Sequence, residues 1–334
     1  MAATIKDIAK IAGVSTATVS RVINNLDGYS KEVETKVLAI AKELGYRKNE
    51  NAISLVKKST KLIGVVMPDV ATSFYGKIIN GIEDMASEEG YGVILTHAGV
   101  EGKKIGGSLN LMAERRVDGI IIVSILLSEA EIEQLNKLAI PTILLSTKST
   151  DEKIPYIKVD DYAASKAAVN YLISCGHERI GLAGVNPEDP ISGKPRISGY
   201  VDAISEAELR VDYNLIKYGD FSFESGKEAM DYYLKMDQLP DAVFCVSDET
   251  ALGIISACYE NKIVIPDDIS VIGYDNSRIS SMSTPPISTI AQPFYTMGSL
   301  GCQKLIHSLH EEEKVASQIV EFELIERKSV QFKK

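Results

Sequence analysis

The sequence predicts an N-terminal all-α head, a short linker, and two α/β lobes with parallel, doubly wound sheets. Residues 1–48 show helix caps and helical periodicity, whereas residues 62–334 alternate short apolar runs with amphipathic helical patterns. The charge divides at the same place. Residues 1–61 hold 11 Lys and Arg against 6 Asp and Glu, so this end carries five net positive charges. Because the net charge of the whole chain is −10, the remainder has a net charge of −15.

The first predicted helix begins after Thr4, whose side chain suits an N-cap. Asp7 follows three residues later, where an acid is favourable near a helix N-terminus. Gly13 supplies the permissive backbone for a sharp turn at the end of this helix. One apolar stripe at helical spacing faces the core: Ile5, Ile8, Ala9 and Ala12.

A second helix is predicted after the capping residue Ser15, and a third runs from Ser30 to Gly45. The second helix buries Val19, Val22 and Ile23, which leaves small hydroxyl-bearing side chains and one arginine on its outer face: Thr16, Ala17, Thr18, Ser20 and Arg21. Such a face can approach base edges in the major groove of double-stranded DNA. The basic charge favours this helix-turn-helix interpretation over a generic three-helix cap.

The larger part of the chain contains nine candidate strands with helices between them. The strands are 62–67, 92–96, 119–124, 142–145, 156–159, 180–183, 215–218, 242–246 and 270–272. The helices include 75–89, 161–175, 222–235 and 249–261. This alternation is typical of βαβ units, whose ligands bind at the carboxyl ends of the strands.

Composition and motifs disfavour other classes of protein. Hydrophobic content is 45% and charged content 25%, as in ordinary globular proteins. No apolar run reaches transmembrane length, and the sequence opens on the capped helix, so neither membrane insertion nor a signal peptide is expected. The four cysteines are predicted to be buried thiols. We find no phosphate-binding loop, nucleophile–base pair or metal-ligand spacing, so the sequence predicts a cytoplasmic protein that is not an enzyme and has no cofactor or metal.

The head resembles the LacI/GalR family of bacterial transcriptional regulators. The motifs run from Ile5 to Asn24, through Leu44-Gly-Tyr-Arg47, and from Asn49 to Leu55, and the resemblance then covers the rest of the chain. It implies a homodimer that reads a pseudo-palindromic operator. The DNA-binding residues it implies are Thr4, Ser15, Thr16, Ala17, Thr18, Ser20, Arg21, Asn24, Tyr46, Asn49, Ala52 and Leu55.

The resemblance also implies a hinge helix over 49–61, between a DNA-binding domain at 1–48 and an effector domain at 62–334. Leu55 would wedge into a minor-groove base step and kink the DNA. Ile53 stands where many members carry a basic or polar residue, which weakens the case for minor-groove contacts there. A plain flexible linker is the alternative interpretation, and the two are compatible if the hinge helix orders only on DNA.

For the effector domain, the family implies two lobes of periplasmic-binding-protein type with three crossovers. One lobe would comprise about 62–160 and 290–320, and the other 161–289 and 321–334. A ligand between them would contact Asp69, Phe74, Tyr75, Ser146, Ser192, Arg196, Phe221, Ser247 and Asp275. Aromatic rings, an arginine fork and a carboxylate suit a sugar or sugar phosphate. Pro190 stands where the purine-binding branch carries an arginine, which disfavours a purine.

Two other functions stay open. Several motifs look like those of catabolite control proteins, which use phosphorylated HPr protein as corepressor. Those proteins bind HPr through a surface arginine and an aromatic residue, which Arg278 and Tyr295 match. Arg196 disfavours this second choice, because such members commonly lack it. A sugar-uptake binding protein, from a different class, is disfavoured by the basic head. The absence of a heptad tail favours a dimer over a tetramer.

Overall fold

A computed structural model describes residues 3–46, 59–68, 75–99, 102–310 and 315–333. The chain divides into two compact units, Met1–Thr60 and Lys61–Lys334. None of the described helices is long and apolar enough to span a membrane. All four cysteines are buried free thiols, as predicted.

Within its described residues, the first unit contains three helices, α1 (Ile5–Ala12), α2 (Thr16–Ile23) and α3 (Lys31–Glu43). Their inward faces form one small core, which accounts for the predicted apolar stripes. The buried members are Ile8, Ala9, Ala12, Val19, Val22, Val37 and Ala41. The predicted helix-turn-helix head is confirmed, whereas the predicted hinge helix lies outside the described residues.

The second unit begins with a five-strand β/α series and contains two six-stranded sheets. In the first sheet the spatial order is β11-β5-β4-β3-β1-β2, and every pair is parallel. Its strands are β1 (Leu62–Met67), β2 (Gly92–His97), β3 (Gly119–Val123), β4 (Thr142–Leu145), β5 (Tyr156–Val159) and β11 (Gln318–Val320). Its helices are α4 (Tyr75–Glu88), α5 (Ile105–Glu114), α6 (Glu129–Leu138) and α12 (Phe294–His310).

The second sheet has the order β12-β10-β9-β8-β6-β7 and is parallel except where β12 runs against β10. Its strands are β6 (Ile180–Val185), β7 (Ile216–Tyr218), β8 (Ala242–Cys245), β9 (Ser270–Asp275), β10 (Ser288–Ala291) and β12 (Glu323–Ile325). Its helices are α7 (Asp161–Ser174), α8 (Gly193–Glu206), α9 (Phe223–Tyr233), α10 (Asp248–Glu260) and α11 (Arg278–Met282). The two-lobed, doubly wound fold predicted from the sequence is confirmed.

The chain passes between the two sheets three times, after β5, between β10 and α12, and between β11 and β12. Some predicted strand ends were wrong. Leu215 belongs to a short 3-10 turn (Tyr213–Leu215), and Ser124 lies beyond β3 with φ of +50°. Three strands escaped prediction, β10, β11 and β12. They have three or four residues each, which gives a weak periodic signal, although the equally short β7 was predicted.

Candidate functional site

Side-chain caps at both helix starts shape the head. The Thr4 amide donates to Asp7 Oδ2 at 2.9 Å, and the Asp7 amide donates to Thr4 Oγ1 at 3.4 Å, which completes a capping box. Gly13 has φ of +70°, a left-handed conformation in which glycine avoids the Cβ clash. Ser15 Oγ accepts from the Thr18 amide at 3.0 Å and begins α2. The predicted helix, turn and helix therefore follow from local caps.

The outer face of α2 presents a few small groups to solvent. Thr16, Ala17 and Arg21 are exposed, whereas Thr18, Ser20 and Asn24 are half-buried. The latter three also bond within the helix: Thr18 and Ser15 hydroxyls lie 2.9 Å apart, and the Asn24 amide donates to the Ser20 carbonyl at 2.8 Å. Tyr46 packs against the helical core. Three other predicted DNA contacts, Asn49, Ala52 and Leu55, lie outside the described residues.

A cavity of about 570 Å³ lies between the two sheets of the second unit. This volume suits a small organic ligand. The carboxyl ends of six strands meet here, and each contributes a residue at or just after its end: Pro68, Ser124, Ser146, Asn186, Val246 and Asp275. The position agrees with the rule that parallel α/β sheets bind ligands at their carboxyl edges.

The structure brings seven of the predicted effector-binding residues together around this cavity. They are Tyr75, Ser146, Ser192, Arg196, Phe221, Ser247 and Asp275. The other two, Asp69 and Phe74, lie outside the described residues. The Ser146 hydroxyl is buried and has no hydrogen-bond partner in the described part of the chain. It is therefore available to a polar group of a ligand.

Arg196 is the most constrained side chain of the cavity. It is 5% exposed, and its Nε and Nη2 atoms donate to Asp161 Oδ1 at 2.9 and 2.7 Å. Its Nη1 donates to the Val246 carbonyl, and its guanidinium lies 3.7 Å from the ring centroid of Tyr274. A guanidinium has five N–H groups, so two stay unused by these contacts. The side chain is thus held rigidly while it keeps donors for a ligand.

Asp161 also pairs with a second cation, Lys158. The Lys158 ammonium donates to Asp161 Oδ2 at 2.7 Å and to the Val159 carbonyl at 2.8 Å, and both side chains of the pair are buried. Burial opposes the ionisation of Asp161. The charges of Arg196 and Lys158 outweigh that effect and hold its pKa below the usual value. One carboxylate is therefore shared by two buried cations, and the three groups together keep one net positive charge.

Asp275 ends β9 at the edge of the cavity, with φ of +104°. The Gln292 amide donates to its Oδ1 at 2.8 Å. Burial raises the pKa of Asp275 to about 8, although Arg196 opposes the rise. The carboxyl group is consequently protonated at neutral pH, and it can both donate to and accept from a hydroxyl.

The carboxyl group of Asp248 and the hydroxyl group of Ser247 hold neighbouring segments of the cavity wall in place. Asp248 accepts from the Ser277 amide at 2.6 Å and from Thr289 Oγ1 at 2.7 Å, and burial raises its pKa to about 6. Ser247 caps α10 by accepting from the Thr250 amide at 2.9 Å, and it donates to the Phe221 carbonyl at 2.6 Å. Both hydroxyl functions of Ser247 are engaged, so it positions Phe221 in addition to lining the cavity.

Comparison with known proteins identifies the family. A model described as bacterial regulatory proteins, lacI family, matches residues 4–49, and a periplasmic binding protein-like domain matches residues 169–330. Catabolite control protein A of Priestia megaterium is 36% identical over 321 residues, 96% of each chain. The chain belongs to the lacI family of bacterial transcriptional regulators.

Solved structures of lacI-family regulators have the same architecture. The Lac repressor dimer bound to operator and the anti-inducer ONPF superposes with a TM-score of 0.88, at 27% identity over 99% of this chain and 100% of that one. The complex of the regulator CelR with cellobiose has a TM-score of 0.75, at 29% identity over 98% of this chain and 99% of that one.

Several lining residues of this lacI-family regulator escaped sequence reasoning. Asp161 reads in the sequence as an acid at a helix start, and Lys158 as an outward-facing residue of an alternating strand. The sequence signal for Lys158 as a lining residue was its position one residue before the carboxyl end of a strand. The others supply further polar groups: Asn186, Asp189, Asp220, Ser277 and Gln292.

The residues matched to a corepressor protein lie on the surface of this lacI-family regulator. Arg278 is exposed at the start of α11. Tyr295 is 47% exposed near the start of α12, and its hydroxyl donates to Asp84 Oδ2 at 2.9 Å. Both are accessible in the chain as described.

Asp275 should make the stability of the second unit depend on pH. Its pKa is about 8 in the folded protein, against a usual 3.8, so its protonated form stabilises the fold. That contribution is complete below the usual value and is lost as the pH rises through 8, by at most about 1.4 kcal/mol per pH unit. Urea unfolding at pH 6 and pH 8 should show a smaller pH effect for Asp275→Asn than for the wild type.

The matched control for this measurement is Asp267→Asn, at an exposed aspartate of the same lobe. It should leave the pH dependence as in the wild type. An equal pH dependence in the wild type and Asp275→Asn would contradict the raised pKa.

Proposed function

We propose that this protein is a homodimeric repressor of carbohydrate-utilisation genes, controlled by a small sugar or sugar phosphate in the cavity. It would read a pseudo-palindromic operator through paired heads. One observation supports this most strongly. A single chain joins a capped helix with Thr16, Ala17 and Arg21 exposed to a cavity with an aromatic ring, an arginine fork and buried carboxyl groups.

The chemistry of the cavity favours a polyhydroxylated ring. Arg196 offers unused donors, Asp275 offers a carboxyl, and the Ser146 hydroxyl is unpartnered among the described residues. The Phe221 ring supplies an apolar face on which a sugar ring can stack. The similar regulator CelR was solved with cellobiose, which agrees with this choice.

Control of DNA binding would follow from a two-state equilibrium of the lobes. A ligand shifts operator affinity only as far as it prefers one state, which typically amounts to about 1–3 kcal/mol of coupling. A ligand that prefers the DNA-competent state acts as a corepressor, and one that prefers the other state acts as an inducer. Operator titrations with and without each sugar measure the sign directly.

Gel-shift titration against a library of symmetric operators tests the DNA-binding part of the proposal. We expect sequence-specific binding whose affinity falls about 10³-fold or more between about 50 and 200 mM salt, because bound phosphates release counterions.

Leu55→Ala should weaken specific binding at least about tenfold and nonspecific binding far less, because the wedge acts only on the kinked operator. Leu38→Ala, at an exposed leucine of the head, is the control.

DNA binding that does not depend on salt, or equal binding to every operator in the library, would count against a function as a DNA-binding regulator. An equal loss of specific and nonspecific binding in Leu55→Ala would count against the wedge alone.

A second candidate is a catabolite control protein with phosphorylated HPr protein as its corepressor. The identity to Catabolite control protein A and the exposure of Arg278 and Tyr295 favour it. Titration calorimetry with HPr and its phosphorylated form separates the two candidates. Binding of the phosphorylated form alone, lost in Arg278→Ala, would establish the second candidate. The presence of Arg196 keeps the sugar-controlled repressor first.

A further inference from the structure

We infer that the cavity selects uncharged polyhydroxylated ligands, such as free sugars or glycosides, and discriminates against their phosphate esters. This inference rests on the proposed function, since it concerns which carbohydrates the same cavity takes. It follows from the charges of the lining, from the partners of its two cations and from the helix ends around it.

The lining is strongly acidic. Among the described residues that line it, there are seven carboxyl groups and two basic side chains, Lys158 and Arg196. The carboxyl groups belong to Asp161, Glu188, Asp189, Asp220, Asp248, Glu249 and Asp275. Even with Asp275 protonated, a phosphate dianion would enter a cavity of its own sign.

Both cations already have an anionic partner. Asp161 accepts from Arg196 at 2.7 and 2.9 Å and from Lys158 at 2.7 Å. Phosphate sites normally offer Arg or Lys groups whose charge is still available to the ligand. Here both cations share one buried carboxylate, so the three groups together offer a ligand only one net positive charge. The remaining guanidinium N–H groups suit neutral hydroxyls better than a dianion.

One cation near the cavity, Lys77, is held by the other lobe. Lys77 follows the lining residue Tyr75 by two positions, and its ammonium donates to the carbonyl of Asn276 at 2.8 Å. Asn276 directly follows the lining residue Asp275, so this bond connects elements of the two lobes at the cavity rim.

Helix N-termini are the other common phosphate sites, and here acidic side chains occupy them. At the start of α8, the carboxylate of Asp189 accepts from the amides of Ile191, Ser192 and Gly193 at 2.8, 3.3 and 3.2 Å. At the start of α10, the first turn contains Asp248 and Glu249. The positive ends of both helices are therefore already compensated within the protein.

Calorimetry on the full-length wild-type protein tests the inference with matched pairs. The pairs are glucose and glucose 6-phosphate, fructose and fructose 1-phosphate, and ribose and ribose 5-phosphate, with cellobiose and inorganic phosphate added. Every sugar that binds should bind at least about tenfold tighter than its phosphate ester, because like charges repel in the cavity. A phosphate ester that binds tighter than its free sugar would overturn the inference and leave the proposed function intact. If no compound of the panel binds, the sugar-controlled function is overturned instead.

Asp161→Asn tests why phosphates are excluded. The substitution removes the shared carboxylate and releases both cations, so the affinity for inorganic phosphate and phosphate esters should rise about tenfold or more. The control is Asp160→Asn, at the adjacent residue, because Asp160 caps α7 and an asparagine can do the same. If the phosphate affinity of Asp161→Asn does not exceed that of the control, pairing of Lys158 and Arg196 with Asp161 does not explain the exclusion of phosphates. If Asp161→Asn does not fold, the wild-type pairs decide alone.

Discussion

Replacing Arg196 by alanine should lower the free energy of unfolding of the α/β unit by about 3–5 kcal/mol. The guanidinium is buried and holds Asp161 and the Val246 carbonyl, and it stacks on Tyr274. Its removal leaves the buried carboxylate of Asp161 with Lys158 as its remaining cation. The cavity also loses its fork of donors, so the response of operator binding to sugars should disappear.

Urea unfolding of the full-length protein measures this effect, with Arg210→Ala as control. Arg210 lies on the surface of the same lobe, and surface substitutions usually change stability by less than about 0.5 kcal/mol. Arg196→Lys keeps the charge and loses the fork, so it should be intermediate. A loss of sugar response without any loss of stability would show that the Asp161 pair contributes little to the fold.

Gly81→Ala should destabilise the first lobe by about 3 kcal/mol, through overpacking. A Cβ at this position would collide with the carbonyl oxygen of Tyr295 and would lie 2.9 Å from the Ser299 amide nitrogen, both on α12. The reciprocal Gly298 on α12 has no room either, because its Cβ would collide with the Ile78 carbonyl on α4. Two helix backbones are in contact here, and neither can move without disturbing the core beneath.

Gly76→Ala is a matched control on the same helix. A Cβ at Gly76 has no atom of the described residues within 4 Å, so alanine should stabilise by up to about 1 kcal/mol through its higher helix propensity. Thermal unfolding of both variants measures the difference. Equal melting temperatures for the two alanine variants would show that α4 and α12 can separate at little cost.

Much of the fold was predictable because its signals are local. Thr4, Gly13 and Ser15 cap or end helices through partners within four residues of themselves. The longer parallel strands are continuous apolar runs, so their positions were predicted to within a few residues. Three short strands, β10, β11 and β12, were missed, and so was the antiparallel pairing of β12 with β10. A strand of three or four residues gives a weak periodic signal, and pairing direction depends on the path of the chain.

Seven of the nine predicted effector-binding residues lie around one cavity, but their partners were not foreseen. Ser247 was matched as a ligand contact, yet its hydroxyl caps α10 and bonds the Phe221 carbonyl. Gln292 lies on a crossover between lobes, 17 positions from the Asp275 that it contacts. Such pairs join residues that no helix or strand period relates.

The sequence by itself determined the type of each module: a capped helix-turn-helix head with a basic end, and an acidic α/β part with its polar residues at strand ends. Caps, turns and periodicity act over a few residues, so they can be read directly from the chain. The charge that the cavity presents was decided only by the tertiary structure. Arg196 looks in the sequence like a free fork for two hydroxyls or a carboxylate. Asp161, 35 positions earlier, pairs with both Arg196 and Lys158. Burial and pairing are properties of space, so they emerge only when α7, α8 and β5 have packed together.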